Sequence, residues 1–174
     1  DCSSDYEMQA SRLGLEFLSE GFSHELSYTR TRTERQDFTA SVPTFGSQGE
    51  QVRGEYIGSA TTLDGVDLIW GFDYQKDLAN SMGRKNQGAF VELLSDFSQA
   101  FFLTAGLRYD DNEDFGANTS FRLSTAFLLE TTAGTLKFKA ALGSGFRAPS
   151  PFEIQYNRGP YAFPPATSSP LVQE

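Results

Sequence analysis

Between Val66 and Tyr74 the apolar residues Val66, Leu68, Trp70, Phe72 and Tyr74 fall on every second position, with Asp67, Gly71 and Asp73 between them. A period of two predicts a strand with one apolar face. From Phe101 to Tyr109 the pattern returns: Phe101, Leu103, Ala105, Leu107 and Tyr109 share one face, and Thr104, Gly106 and Arg108 the other. Phe121, Leu123, Phe127 and Leu129 alternate with Ser120, Arg122 and Ser124, and Leu136, Phe138, Ala140 and Leu142 alternate with Lys137, Lys139 and Gly143. Two lysines opposite Leu and Phe make the faces unambiguous. Earlier in the chain, Leu13, Leu15 and Phe17 alternate with Arg12, Gly14 and Glu16, and Phe22, Leu26 and Tyr28 with Ser23, Glu25 and Ser27. Weaker strands near 51–62 and 88–94 bring the predicted count to eight.

The connections predict how the strands are joined. Short gaps at 19–21, 63–65, 95–99 and 130–134 alternate with longer ones at 39–50, 79–87, 112–117 and 145–170. An antiparallel up-and-down meander places alternate connections at the same end, so one end carries tight turns and the other longer loops. Outer-membrane barrels are built this way, and strands of about nine to eleven residues suit a tilted crossing of the hydrocarbon layer. Tyr28, Tyr74 and Tyr109 lie near predicted strand ends, as an interfacial girdle would require. The same eight strands also describe a stand-alone soluble barrel of lipocalin type, with its apolar face turned inward. Against that version stand the charges placed on strands: Arg12, Glu16, Glu25, Arg53, Glu55, Asp67, Asp73, Glu92, Arg108, Lys137 and Lys139.

Composition narrows the function classes. A net charge of −9 over 174 residues argues against a nucleic-acid partner, whose binding needs clustered positive charge. One cysteine, Cys2, excludes an internal disulfide and a cysteine metal site; it reads as a loop thiol or the partner of a missing segment. The single histidine, His24, shares the phase of Phe22 and Leu26 and is badly placed for catalysis, so the chain does not read as an enzyme. No run approaches the roughly 18 apolar residues of a spanning helix.

Several segments together resemble the barrel of TonB-dependent outer-membrane receptors. Gly143-Ser144-Gly145-Phe146-Arg147-Ala148-Pro149-Ser150-Pro151-Phe152-Glu153 is similar to the element that follows a barrel strand in that family and precedes a short loop helix. Residues 108–116 followed by Phe121-Arg122-Leu123-Ser124 resemble the family's preceding strand, acidic loop and returning strand. Gly71-Phe72-Asp73-Tyr74-Gln75-Lys76 resembles a strand of the vitamin B12 (cobalamin) receptor branch, and Ser169-Pro170-Leu171-Val172-Gln173-Glu174 resembles the opening of the next family strand, with Ser169 and Gln173 departing from it. The resemblance implies that residues 1–174 are part of a transmembrane β-barrel of about 22 strands in a Gram-negative outer membrane. It implies as partners the membrane lipid, a plug domain lying outside this chain and, through the plug, TonB. The implied cargo is cobalamin or a ferric siderophore, taken up without covalent catalysis and without a cofactor.

Three features are candidate sites. Asp110, Asp111, Glu113 and Asp114 offer the oxygen ligands that Ca²⁺ takes, without the spacing or turn glycine of an EF-hand; the alternative is a solvated loop. Tyr156, Arg158, Tyr161 and Phe163, in a loop read as running from Tyr156 to Pro165, could stack on a flat ligand or pair with an anionic one; the alternative is a stiff loop folded over the barrel mouth. Arg147 reads either as a ligand contact or as an anchor donating to loop carbonyls.

Overall fold

The computed structural model describes residues 2–159. Strands β1 (Cys2–Ser19), β2 (Phe22–Thr39), β3 (Val42–Leu63), β4 (Val66–Ala79), β5 (Met82–Phe97), β6 (Phe101–Asn112), β7 (Gly116–Thr131) and β8 (Gly134–Gly143) lie in one sheet in chain order, and helix α1 (Pro151–Arg158) follows. Every neighbouring pair is antiparallel. The eight-stranded all-β class is the one the periodicity predicts. Among the described residues β1 and β8 do not pair, so the sheet is open and no eight-stranded barrel of lipocalin type forms.

Two predicted long connections are in fact strand. Ala40-Ser41 makes the β2–β3 turn, with φ of 51° and 63°, and β3 begins at Val42. Likewise Asn80-Ser81 makes the β4–β5 turn, Asn80 at φ 52°, and β5 begins at Met82. The alternation of short and long connections therefore does not hold between β1 and β8: all seven are tight. These strand ends carry no apolar alternation because both of their faces are polar, with Arg30, Arg32, Glu34 and Gln36 facing one side of β2 and Thr31, Thr33, Arg35 and Asp37 the other.

The register sorts the side chains. Leu15, Leu26, Tyr56, Phe72, Ala89 and Tyr109 are successive partners on one face, and Phe17, His24, Gly58, Trp70, Val91, Leu107 and Phe121 form the next row. Large apolar side chains on this face are uncovered, Leu13 at 69%, Phe72 at 59% and Leu107 at 58% exposure, whereas the buried hydrophobic side chains among the described residues are Ala60 and Ile154. A patch this large needs an apolar surrounding, which a bilayer supplies. His24 sits on this face with its polarity satisfied, Nδ1 lying 2.8 Å from Tyr56 Oη.

The strands also slant. Phe22, at the foot of β2, connects through Ala60, Leu68, Leu93, Ala105 and Leu123 to Leu142, eight residues above the foot of β8. At ~3.3 Å per residue and ~4.8 Å per strand, that climb over six steps gives a tilt of about 40° when the turns lie at one level. Membrane barrels have tilts in this range.

Leu107→Arg, on the apolar face, should cost about 2–4 kcal/mol in a bilayer. The same substitution at Thr104, on the polar face, should cost little. Folding titrations of the protein in lipid vesicles check this, and equal penalties at the two positions would remove the face assignment.

Candidate functional site: the polar wall and its folded-over segment

Opposite the apolar face, the register brings charges together that are far apart in sequence. Glu55, Asp73, Gly88 and Asp110 are successive partners across β3, β4, β5 and β6. From the next row Arg108 reaches into them: Nη1 lies 2.9 Å from Asp73 Oδ2, Nη2 lies 2.7 Å from Asp110 Oδ1, and Nε donates to Asp110 Oδ2 at 2.9 Å. Arg53 pairs with Glu55 at 2.9 Å and approaches Asp73 at 3.8 Å. Asn86 donates to Asp110 at 3.3 Å and accepts from Asn112 at 3.2 Å.

The Asp73 side chain is only 4% exposed, so its charge depends on these partners. Gly88 makes the arrangement possible, because a Cβ there would lie 2.1 Å from Arg108 Nη2. The guanidinium lies flat where any other residue would project.

The segment after β8 covers part of this wall. Ser144 is tied to β7, its N–H donating to Phe121 O at 2.9 Å and its Oγ accepting from Phe121 N at 3.1 Å. The chain then runs back to the β4–β5 hairpin, where the buried Arg84 guanidinium donates to Pro149 O. Helix α1 begins there for local reasons. Ser150 caps it by accepting from Glu153 N at 3.2 Å, Glu153 Oε2 accepts from Ser150 N at 2.7 Å, and Pro151 occupies the first turn. Arg147 Nη2 pairs with Glu153 Oε1 at 2.6 Å, Ile154 is buried, and Asn80 at the hairpin tip donates to Gln155 at 3.0 Å. An eight-residue helix is marginal alone and depends on such ties. The Ser150 backbone N–H, then Arg147, hold the Glu153 carboxyl below the usual carboxylate range.

The predicted site residues are distributed unevenly. Arg147 pairs with the Glu153 carboxylate rather than with loop carbonyls; the arginine that holds a loop carbonyl is Arg84, which the sequence did not single out. Tyr156 and Arg158 belong to α1 rather than to a loop, and both are exposed. Tyr161 and Phe163 lie outside the described residues. The four acidic residues proposed for Ca²⁺ are not gathered in one loop. Asp110 and Asp111 are consecutive residues of β6 and face opposite sides; Asp110 is committed to Arg108, and Glu113 Oε2 accepts from Lys85 N at 3.0 Å. Among the described residues no group of three His, Cys, Asp or Glu is placed to hold a metal ion.

Comparison with known proteins gives a consistent picture. Residues 3–171 match the family described as TonB dependent receptor-like, beta-barrel. The chain is similar to the vitamin B12 transporter BtuB of Vibrio cholerae serotype O1, at 26% identity over 154 residues, covering 83% of this chain and 24% of the relative. It is also similar to the vitamin B12 transporter BtuB of Photobacterium profundum, at 29% identity over 94 residues, covering 50% of this chain and 15% of the relative. The chain thus spans about a quarter of the length of its Vibrio relatives.

Arg108→Met strands two carboxylates and should destabilise the complete receptor by about 2–4 kcal/mol, somewhat under the cost of breaking a fully dry pair because Arg108 is 33% exposed. Arg12→Met, which breaks the exposed Arg12–Glu25 pair, should cost under ~1 kcal/mol. Urea titration in vesicles compares the two. A pH titration of α1 provides a separate check. Because the Glu153 carboxyl is depressed, its contribution to the helix is present above the ordinary carboxylate range and is lost as pH falls through the lowered value. Fluorotyrosine at Tyr156 should report one acid transition, and Glu153→Gln should abolish it.

Proposed function

Because the chain belongs to the TonB-dependent receptor-like β-barrel family, we propose that it forms part of the wall of an outer-membrane receptor that imports a large, scarce nutrient. That family comprises receptors and transporters rather than enzymes. The observation that carries the reading is the two-sidedness of one open sheet: an uncovered apolar face, and opposite it a cross-linked ionic wall onto which a helix folds.

In this reading the apolar face meets the lipid of a Gram-negative outer membrane, and further strands close the sheet into a barrel of about 22 strands. The polar face lines a hydrated lumen occupied by a plug domain, through which TonB supplies energy from the inner membrane. Charges fixed by Arg53 and Arg108 give the lumen a rigid hydrophilic surface that a plug can contact without the wall collapsing onto it. At the α1 end the segment from Arg147 to Arg158 leans over the lumen, and the exposed side chains of Tyr156 and Arg158 are available to the entering nutrient. Tyr161 and Phe163, which lie outside the described residues, are carried into the proposal as ligand contacts from their residue types alone.

Cobalamin is favoured over a ferric siderophore. Supporting that choice are the relatives' printed description as vitamin B12 transporters and the resemblance around Gly71 to Lys76.

Uptake by the complete receptor tests the proposal. Expressed in a strain lacking its own cobalamin receptor, it should restore saturable uptake of labelled cyanocobalamin that disappears when TonB is deleted. Replacing Tyr156 and Arg158 together with Ala should weaken binding about tenfold, equivalent to ~1.4 kcal/mol. Uptake of a ferric siderophore in place of cobalamin would change the cargo, and uptake of neither would overturn the reading.

A further inference from the structure

On the apolar face, just past the belt of Tyr28, Tyr74 and Tyr109, two like charges stand directly opposite each other. Lys76 of β4 and Lys85 of β5 are register partners, both are exposed, and both project from the same side as Tyr74. Like charges facing across a sheet are destabilising, so such a pair ordinarily has acids beside it. Here the nearby acids on that face are largely committed elsewhere. Glu50 is held by Arg30 through two hydrogen bonds at 3.1 and 3.2 Å, and the Glu113 carboxylate accepts from the Lys85 backbone N–H at 3.0 Å. Asp111 lies on the same face two residues nearer the membrane band on β6, opposite Gln87. Neither ammonium takes part in any of the ion pairs of the described residues, all of which involve arginine.

Directly below the lysines the same face opens into a groove of about 520 Å³. Small residues floor it, Gly54 and Ala89, and the rings of Tyr56, Phe72, Tyr74 and Tyr109 wall it, with Gln87 and Asp111 at the end nearest the lysines; Tyr56 and Phe72 lie 4.9 Å apart between ring centroids. A cleft among aromatic rings at the edge of an apolar band has the shape and polarity to take an acyl chain. The two ammonium groups at its upper end, neither of them in an ion pair among the described residues, have the charge to take a phosphate.

We propose that Lys76, Lys85 and the groove beneath them form a binding site for one phosphorylated, acylated lipid of the surrounding leaflet, its phosphate bridging the two lysines and an acyl chain lying in the groove. The phosphate converts a repulsive pair into a bridged one, so the lipid acts as a missing counterion in the barrel's outer surface. This inference rests on the proposed function only in requiring that the apolar face meet lipid.

The experiment is native mass spectrometry and thermal unfolding of the complete receptor in detergent, titrated with diphosphoryl lipid A and, in parallel, with lipid A stripped of phosphate. Wild type should retain diphosphoryl lipid A and unfold at higher temperature with it. In K76Q/K85Q the retention should fall at least tenfold. Without lipid, the same double variant should be at least as stable as wild type, because the repulsion is gone, so the sign of its effect should reverse on adding lipid. Gly54→Leu, which fills the groove and leaves the charges in place, should weaken retention of the acylated lipid. Equal retention by wild type and K76Q/K85Q, or equal retention of the two lipid A forms by wild type, would overturn the proposal. Cyanocobalamin uptake measured on the same receptor separates the two questions: loss of uptake with lipid retention intact would count against the proposed function alone.

Discussion

A polypeptide that crosses hydrocarbon has no water to satisfy its N–H and C=O groups, so each must find a partner within the fold. Among the described residues the partner strand is the neighbour in sequence, through seven antiparallel ladders. Once the ladders are fixed, side chains have only two directions to point, and the chain divides its chemistry accordingly. Aromatic and aliphatic residues go to one side. Within the apolar band the paired charges go to the other, where Arg108 and Gly88 together hold two carboxylates in place. The sheet therefore carries an uncovered apolar face on one side and its polar network on the other.

The band in which this division holds was legible from the order of residues alone. Val66 to Tyr74 and Phe101 to Tyr109 alternate, Ile69 and Phe102 excepted, because one side of the sheet is apolar and the other polar, and that contrast is what makes a period of two visible. Above the tyrosine belt the contrast vanishes. Strands β2 and β3 continue to Ala40-Ser41, but Arg30, Arg32, Glu34 and Gln36 on one side and Thr31, Thr33 and Arg35 on the other leave no alternation to detect. Those stretches looked like loops for a physical reason. A turn made by Ala and Ser with positive φ, where Gly or Asn would be the usual signal, concealed the hairpin further.

The charged wall was partly legible. Arg53, Asp73 and Arg108 were visible as polar residues in phase on strands, but which carboxylate each would meet depends on register across three hairpins, which no local pattern contains. Asp110 shows the difficulty. In sequence it heads an acidic run, and in space it parts from Asp111 because consecutive strand residues face opposite ways. Arg84 was passed over altogether. Its partner, the Pro149 carbonyl, is 65 residues away, and a backbone oxygen leaves no trace in side-chain chemistry.

The slant of the strands has a mechanical consequence. Ladder hydrogen bonds lie across the strands, so in a sheet tilted by about 40° neither the covalent chain nor the hydrogen bonds point along the barrel axis. A pull along that axis is resolved into tension within each strand and sliding between neighbours. Every ladder takes a share of the sliding, and no single rung must yield first. A sheet of this kind bears a load along that direction as a braided sleeve does, by distributing the force over all of its strands.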